Sequence, residues 1–398
     1  MGVHDLWSVL EPAGSECCLK DLKGLKLAVD TSIWLFQGQV AGKHLHLRTM
    51  FWRVYGMIRS QIQPVFVTEG PTHPLKGTRG QVNNAMTSQI HEAGIILLEI
   101  ICCQLLKALG VPVIESAGEG EATCAALNHV GVVDGVITED SDAFLFGATV
   151  VYRHFSCDNR KAGQMKRYTM EDIKGKLKLE RRTLVAYALM VGCDFTDGIP
   201  GVGKVAAVKL LESLKEEGDI LERFHTWKDN KSLQLLEEHR NKKKPDHCRI
   251  CAHAGTRMSH KSDGCGQCHL QDSCTKANDV TCSCDWHQMN EAFENQRYEL
   301  DVRTKAKTPS GFPDQRVIDA FLEPSELHKL TDKDTKLQWS RPKLSAIKEV
   351  LSWAPVKDVL EMVTAYDMAE IRGNIDAAKD RIQPDWLVFV TIYLMCSY

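Results

Sequence analysis

Five short runs of β-branched and aliphatic residues punctuate the first part of the chain, at 25–30, 64–69, 111–114, 136–137 and 150–152, and four of them lead into acidic residues. Between them lie longer stretches with helical spacing, such as 48–62 and 97–109. Apolar runs separated by amphipathic segments predict an α/β fold with a largely parallel central sheet flanked by helices. Residues 183–235 and 290–375 read as helical, with stops expected around Pro309, Pro313, Pro324 and Pro355.

In open α/β sheets, ligands gather outside the carboxyl ends of the strands. Asp30 closes KLAVD there, and Glu69 closes VFVTE. Glu119 and Glu121 follow the run at 111–114 in AGEGEA, and Asp140 and Asp142 follow 136–137 in TEDSDA. Asp194 comes after a helical stretch in VGCDF. A dipole partner or helix cap explains any one pair, but seven carboxylates along one edge repel unless cations lie among them. Hard oxygen ligands without His or Cys suit Mg²⁺, with Mn²⁺ able to substitute. Two such ions can activate a water and stabilise a leaving oxygen in phosphodiester hydrolysis.

Charge permits a polyanionic partner without demanding one. The chain has 49 basic and 52 acidic residues, a net charge of −3; without the seven carboxylates the balance is 49 to 45. The start lacks the basic and apolar regions of a secretory signal, and Leu6 stands where a myristoylation signal at Gly2 needs Ser or Thr. The apolar stretches 94–106 and 386–398 fall short of the ~20 residues of a membrane span, so no membrane partner is expected.

Seven of the 15 cysteines crowd between 248 and 284, which favours metal ligation over a disulfide framework. Cys248-x₂-Cys251 and Cys265-x₂-Cys268 have the spacing of a structural zinc site. Cys274, Cys282, Cys284 and His287 offer a second set of four, with His253, His260 and His269 as substitutes, so one or two zinc ions are expected. Further back, the turn Gly198–Lys204 opens a helix. Its backbone N–H groups, at Gly201 and Gly203, can meet a phosphate, with Lys204 adding charge.

The blocks MGVHDLW, AVDTSIW, AGEGEATCAAL, TEDSDAFLFGA and GCDFTDGIPGVGK resemble the flap-nuclease (FEN/XPG) superfamily over 1–215. Within it, VTEG is similar to the GEN-type Holliday-junction resolvases, which carry Glu where most relatives carry Asp. The resemblance implies a PIN-like nuclease core with catalytic, Mg²⁺-binding carboxylates at Asp30, Glu69, Glu119, Glu121, Asp140, Asp142 and Asp194. It also implies DNA contacts at Gly2, at Arg48 and Arg53 on a DNA-facing helix, and at a phosphate clamp, for which Lys76 and Arg79 stand closest. The Gly198–Lys204 turn would be the family's helix–hairpin–helix, which grips duplex backbone and often holds K⁺.

The activity so implied is nuclear, in recombination and DNA repair: structure-selective hydrolysis of Holliday junctions, 5′ flaps and replication forks, with two copies assembling only on a four-way junction. The alternatives are a monomeric flap endonuclease or 5′ exonuclease and a catalytically weak junction-binding protein. The expected organisation is a nuclease core in two blocks (1–95 and 96–195), a helix–hairpin–helix region (196–240) and a zinc segment (241–290). A helical region (291–375) and a divergent tail (376–398) follow. Two departures stand out. No Lys or Arg occurs between Arg79 and Lys107, where relatives carry a basic arch, and an apolar tail follows AYDMAEIRG (365–373), where relatives continue into a chromodomain.

Overall fold

A computed structural model describes residues 2–32, 34, 45–76, 99–157, 164–215, 217–268, 282, 284–307 and 311–352. Arg79, His269, Cys274 and the segment 376–398 lie outside these. The chain divides into two compact units, one holding residues up to Gly198 and from Asp314 onward, the other Ile199–Pro313.

The main elements of the first unit begin with α1 (Leu6–Leu10), β1 (Ser15–Glu16), β2 (Lys26–Asp30), α2 (Leu45–Arg59), β3 (Gln63–Thr68) and β4 (Val113–Glu115). They continue with α3 (Gly120–His129), β5 (Gly135–Ile137), α4 (Asp142–Phe146), β6 (Val150–Arg153), β7 (Lys166–Thr169) and α5 (Arg181–Val191). The second unit carries α6 (Lys204–Leu214), α7 (Ile220–Thr226), α8 (Lys231–His239), α9 (Arg257–Asp263), α10 (Asp285–Asn295) and α11 (Arg297–Ala306). The chain then returns to the first unit with α12 (Gln315–Leu322), α13 (Ser325–Lys329) and α14 (Leu344–Ser352).

Seven strands form one sheet in the order β1-β7-β6-β5-β2-β3-β4. Pairings from β6 through β4 are parallel, as the apolar runs predict; β7 and β1 add an antiparallel edge. That edge gave no signal, because KRYT reads as polar and β1 is two residues long. Side chains alternate along a strand. On one face Leu27, Val29, Phe66 and Ile137 pack with Phe51, Val54 and Ile58 of α2 and with Ile347 and Leu351 of α14. Between them Ala28, Val65, Val67 and Val136 are equally buried, so both faces of the sheet are covered.

Because β5, β2 and β3 are adjacent and parallel, their carboxyl ends share one edge. That edge sets Asp30 and Glu69 beside the start of α3 and the loop leading to α4. In the second unit, the buried Glu299 carboxylate takes hydrogen bonds from Arg223 (2.7 and 3.0 Å) and Trp227 Nε1 (2.7 Å), fastening α11 to α7. No helix among the described residues is long and apolar enough to cross a membrane.

Candidate active site

Each carboxylate at the sheet edge is held by a specific donor. The Ser32 N–H and hydroxyl donate to Asp30 Oδ1 at 2.9 and 2.8 Å. Glu69 Oε2 accepts the Gly120 N–H at 2.7 Å, tying the end of β3 to the first turn of α3. A Cβ on Gly120 would come 3.4 Å from both Asp30 Oδ1 and Glu69 Oε2. Glu119 caps α3; its Oε1 accepts the His73 N–H at 3.3 Å and its Oε2 pairs with Lys76. Glu121, one residue into α3, accepts from the Thr138 hydroxyl at 3.3 Å and hydrogen-bonds to Asp140. Asp140 Oδ1 takes the Asp142 N–H at 3.0 Å, and Asp142 Oδ1 the Val3 N–H at 2.8 Å. Asp194 is exposed, and its charge acts on Asp140, Asp142 and Lys76. The structure thus brings all seven expected carboxylates into one electrostatically connected group.

Burial dominates the protonation of five of them. It pushes Asp30 up to about 6, aided by the Asp140 charge, and Glu69 up to about 7, aided by Asp30 and Glu119. Glu121 and Asp142 rise well above the usual carboxylate range through burial and then the neighbouring acids; Asp140 rises with them. Lys76 loses solvation, but Glu119, Glu69 and Asp194 outweigh that loss and hold its ammonium more firmly charged. Lys76 offsets part of the charge of this group.

That donor set fits divalent magnesium. The ligands are hard oxygens only, the donor type that Mg²⁺ takes. Mg²⁺ seldom sits in an all-protein cage; it uses one or two carboxylates and keeps waters or substrate phosphate.

Glu326 lies beside this group and was not among the expected residues. Only 6 % exposed on the short α13, it accepts the Glu119 N–H at 3.0 Å on Oε1, more than two hundred residues away in sequence. Gly118 is open on the side that Glu326 fills; a Cβ there would collide with the Glu326 carboxylate. Gly2 makes a similar approach from the N-terminus. With φ +81° and no room for a Cβ against Asp140, it packs onto the carboxylates themselves.

The remaining expected residues are placed as follows. Arg48 is exposed on α2. Arg53 is partly buried on α2, 4.8 Å over the Trp34 ring, and burial lowers its pKa. Gly201 and Gly203 are exposed at the hairpin and Lys204 begins α6. Gly198, at φ +76°, sits so close to the end of α5 that a Cβ would lie 2.5 Å from Gly192 N.

In the second unit, Cys251, His253, Cys265 and Cys268 converge with ligand atoms within 4.8 Å of one another, and Cys248, Cys251 and His260 do likewise. His253 Nδ1 stands 3.4 Å from both Cys265 and Cys268 Sγ. The N–H groups of Cys251 and Ile250 pull the Cys248 thiol down to about 6, favouring the thiolate that binds metals. Cys282, Cys284 and His287 gather separately with His247, which was not among the expected ligands.

Residues 1–89 match the XPG N-terminal domain and 110–194 the XPG I-region. The chain is 36 % identical over 401 residues to Flap endonuclease GEN homolog 1 of Homo sapiens, a match covering 93 % of this chain and 42 % of that protein. It is 30 % identical to Flap endonuclease 1 of Nematostella vectensis over 57 % of this chain and 71 % of that one. Among solved structures it is similar to human GEN1 in complex with Holliday junction DNA, with a TM-score of 0.64, 27 % identity and coverage of 99 % of this chain and 79 % of that one. The catalytic core of Rad2 in complex with DNA substrate has the same fold, with a TM-score of 0.60, 24 % identity and coverage of 89 % and 94 %. The chain belongs to the flap-nuclease (FEN/XPG) superfamily. Within that superfamily it is similar to the GEN homologues over 93 % and 96 % of its own length. It spans 42 % and 44 % of the length of the human and mouse GEN homologues.

Proposed function

We propose that the chain is a structure-selective DNA endonuclease that hydrolyses phosphodiester bonds in branched DNA: four-way junctions, 5′ flaps and replication forks. The observation that carries this reading is the set of seven carboxylates at one sheet edge, neutralised in part by Lys76 alone among the contacts described above. Asp30, Glu69, Glu119, Glu121, Asp140, Asp142 and Asp194 would hold two Mg²⁺ ions, which supply an activated water and charge stabilisation at the leaving oxygen.

The chain's own residues set the stage for that chemistry. Ser32, Gly120, Thr138 and Val3 orient the carboxylates through the hydrogen bonds given above. Lys76 occupies the mouth near Glu119 and is the described cation best placed to meet a phosphate oxygen. In the second unit, the exposed hairpin glycines and Lys204 would grip duplex backbone, with K⁺ bound at the hairpin. A zinc ion among Cys248, Cys251, Cys265 and Cys268, with His253 and His260 beside them, would hold the segment after α8 in shape. The place of action would be the nucleus, and a four-way junction would be cut by two copies meeting on the DNA.

The test is incubation of the purified chain with end-labelled four-way-junction and 5′-flap DNA. Paired, symmetric nicks in the junction that need Mg²⁺ and vanish in EDTA are expected. Cutting of flaps with single, uncoordinated junction nicks would replace the resolvase reading with a monomeric flap nuclease.

A further inference from the structure

The second Cys/His group involves a residue that spacing alone does not select. His247, Cys282, Cys284 and His287 bring one ligand atom each within 4.8 Å of one another. His247 Nδ1 lies 2.6 Å from the Pro245 carbonyl oxygen, so this nitrogen donates and leaves Nε2 as the acceptor. Nε2 faces Cys284 Sγ at 3.6 Å, and His287 Nδ1 faces the same sulfur at 3.4 Å. The two imidazoles meet edge to face, with ring centroids 4.7 Å apart. A ligating histidine typically donates its other ring N–H to a backbone carbonyl, which fixes the tautomer and aims the lone pair at the metal. His247 has that arrangement.

The backbone prepares the other ligands too. Cys284 is the residue that caps α10, and His287 lies three residues on, so both side chains fall on one face of its first turn. Cys282 is buried at 8 % exposure beside them. Two thiols and two imidazoles, with no carboxylate, are a closed tetrahedral set of the kind zinc prefers. The group with Cys248, Cys251 and His260 offers three ligands and shares Cys251 with its neighbour, so it does not make a further independent site.

We propose that His247, Cys282, Cys284 and His287 form a second structural zinc site, nested around the first. All ligands of the first group lie between His247 and Cys282 in sequence. His247 and Cys248 are consecutive, and the turn that carries them is closed by the His247–Ala254 bridge and by the Cys248 N–H to His253 O bond at 2.9 Å. One turn therefore feeds both ions. The inner ion shapes the turn, and the outer ion ties that shaped turn to α10, closing the whole Cys/His segment at its two ends. Loss of the outer ligands should spare the inner ion, whereas loss of the inner ligands removes the platform on which His247 is presented.

This proposal is independent of DNA cleavage and is tested on the full chain by zinc content. The unaltered protein should hold two zinc ions per chain, with zinc-edge X-ray absorption showing mixed sulfur and imidazole ligation. H247A should hold one, with sulfur-rich absorption, and C265S should lose more than one. A single zinc in the unaltered chain would overturn the proposal whatever the variants do. Two ions retained in H247A would remove His247 from the ligand set, and loss of both in H247A would overturn the nested order.

Discussion

Among single residues, Glu326 holds the backbone of one of the seven carboxylates from outside their group. Its oxygen takes the N–H of Glu119, the residue that caps α3 and pairs with Lys76. Removing that acceptor leaves a buried N–H without a partner, a cost of about 1–3 kcal/mol, and frees the turn that aims Glu119 and Gly120. Partners of metal ligands typically change affinity about 10-fold or more when removed. Glu326→Ala should therefore raise the Mg²⁺ concentration giving half-maximal cleavage by about that factor, with junction binding in EDTA unchanged. Glu326→Gln keeps an acceptor and should stay near the unaltered value. A role in folding alone would instead lower the amount of active protein at an unchanged Mg²⁺ requirement. The seven carboxylates were legible because each closes an apolar run or opens a helix, a pattern visible in one dimension. Glu326 was not, since a glutamate after Pro324 in a short helix looks like any solvated one and its partner lies far away in sequence. His247 was missed because it forms no knuckle with a nearby cysteine.

At the scale of elements, the parallel core followed from the sequence and its edge did not. Continuous apolar runs such as VFV in β3 betray burial on both faces. In β7 only Tyr168 is buried, after the charged Lys166 and Arg167, and pairing with β6 and β1 makes it a strand. Helix α2 was expected at 48–62 and runs over Leu45–Arg59, its apolar face packed on the sheet. Arg53 sits on it within reach of Trp34 and makes a cation–π contact there. Of the helical stretch expected at 291–375, residues 353–375 lie outside the described residues, and the described part is shared between the two units, with α11 in one and α12 to α14 in the other. Periodicity marks each helix but does not say which core it joins.

At the scale of the whole molecule, the buried acids link stability to pH and to metal. In the unfolded chain, Asp and Glu ionise near 4. In the folded, metal-free protein, burial holds Asp30 at about 6 and Glu69 at about 7. Folding therefore takes up protons in this window. The contribution is fully present below about pH 4 and is lost as pH rises through 6 to 7. For Asp30 alone it corresponds to about 3 kcal/mol. The Tm of the metal-free protein, measured in EDTA, should fall from pH 5 to pH 8, less steeply in Asp30→Asn, and Mg²⁺ should restore it at the upper end. Equal slopes in both proteins would refute the strained-carboxylate picture.

The proposed metal centre of these carboxylates acts in cleavage, separately from whatever holds the DNA. It is tested most directly by Asp30→Ala and Glu121→Ala, comparing Mg²⁺-dependent junction cleavage with junction binding in EDTA. Cleavage should be abolished in both variants while binding stays within about 2-fold, because neither side chain belongs to the hairpin or to the exposed face of α2. Cleavage at the unaltered rate in either variant would contradict the assignment.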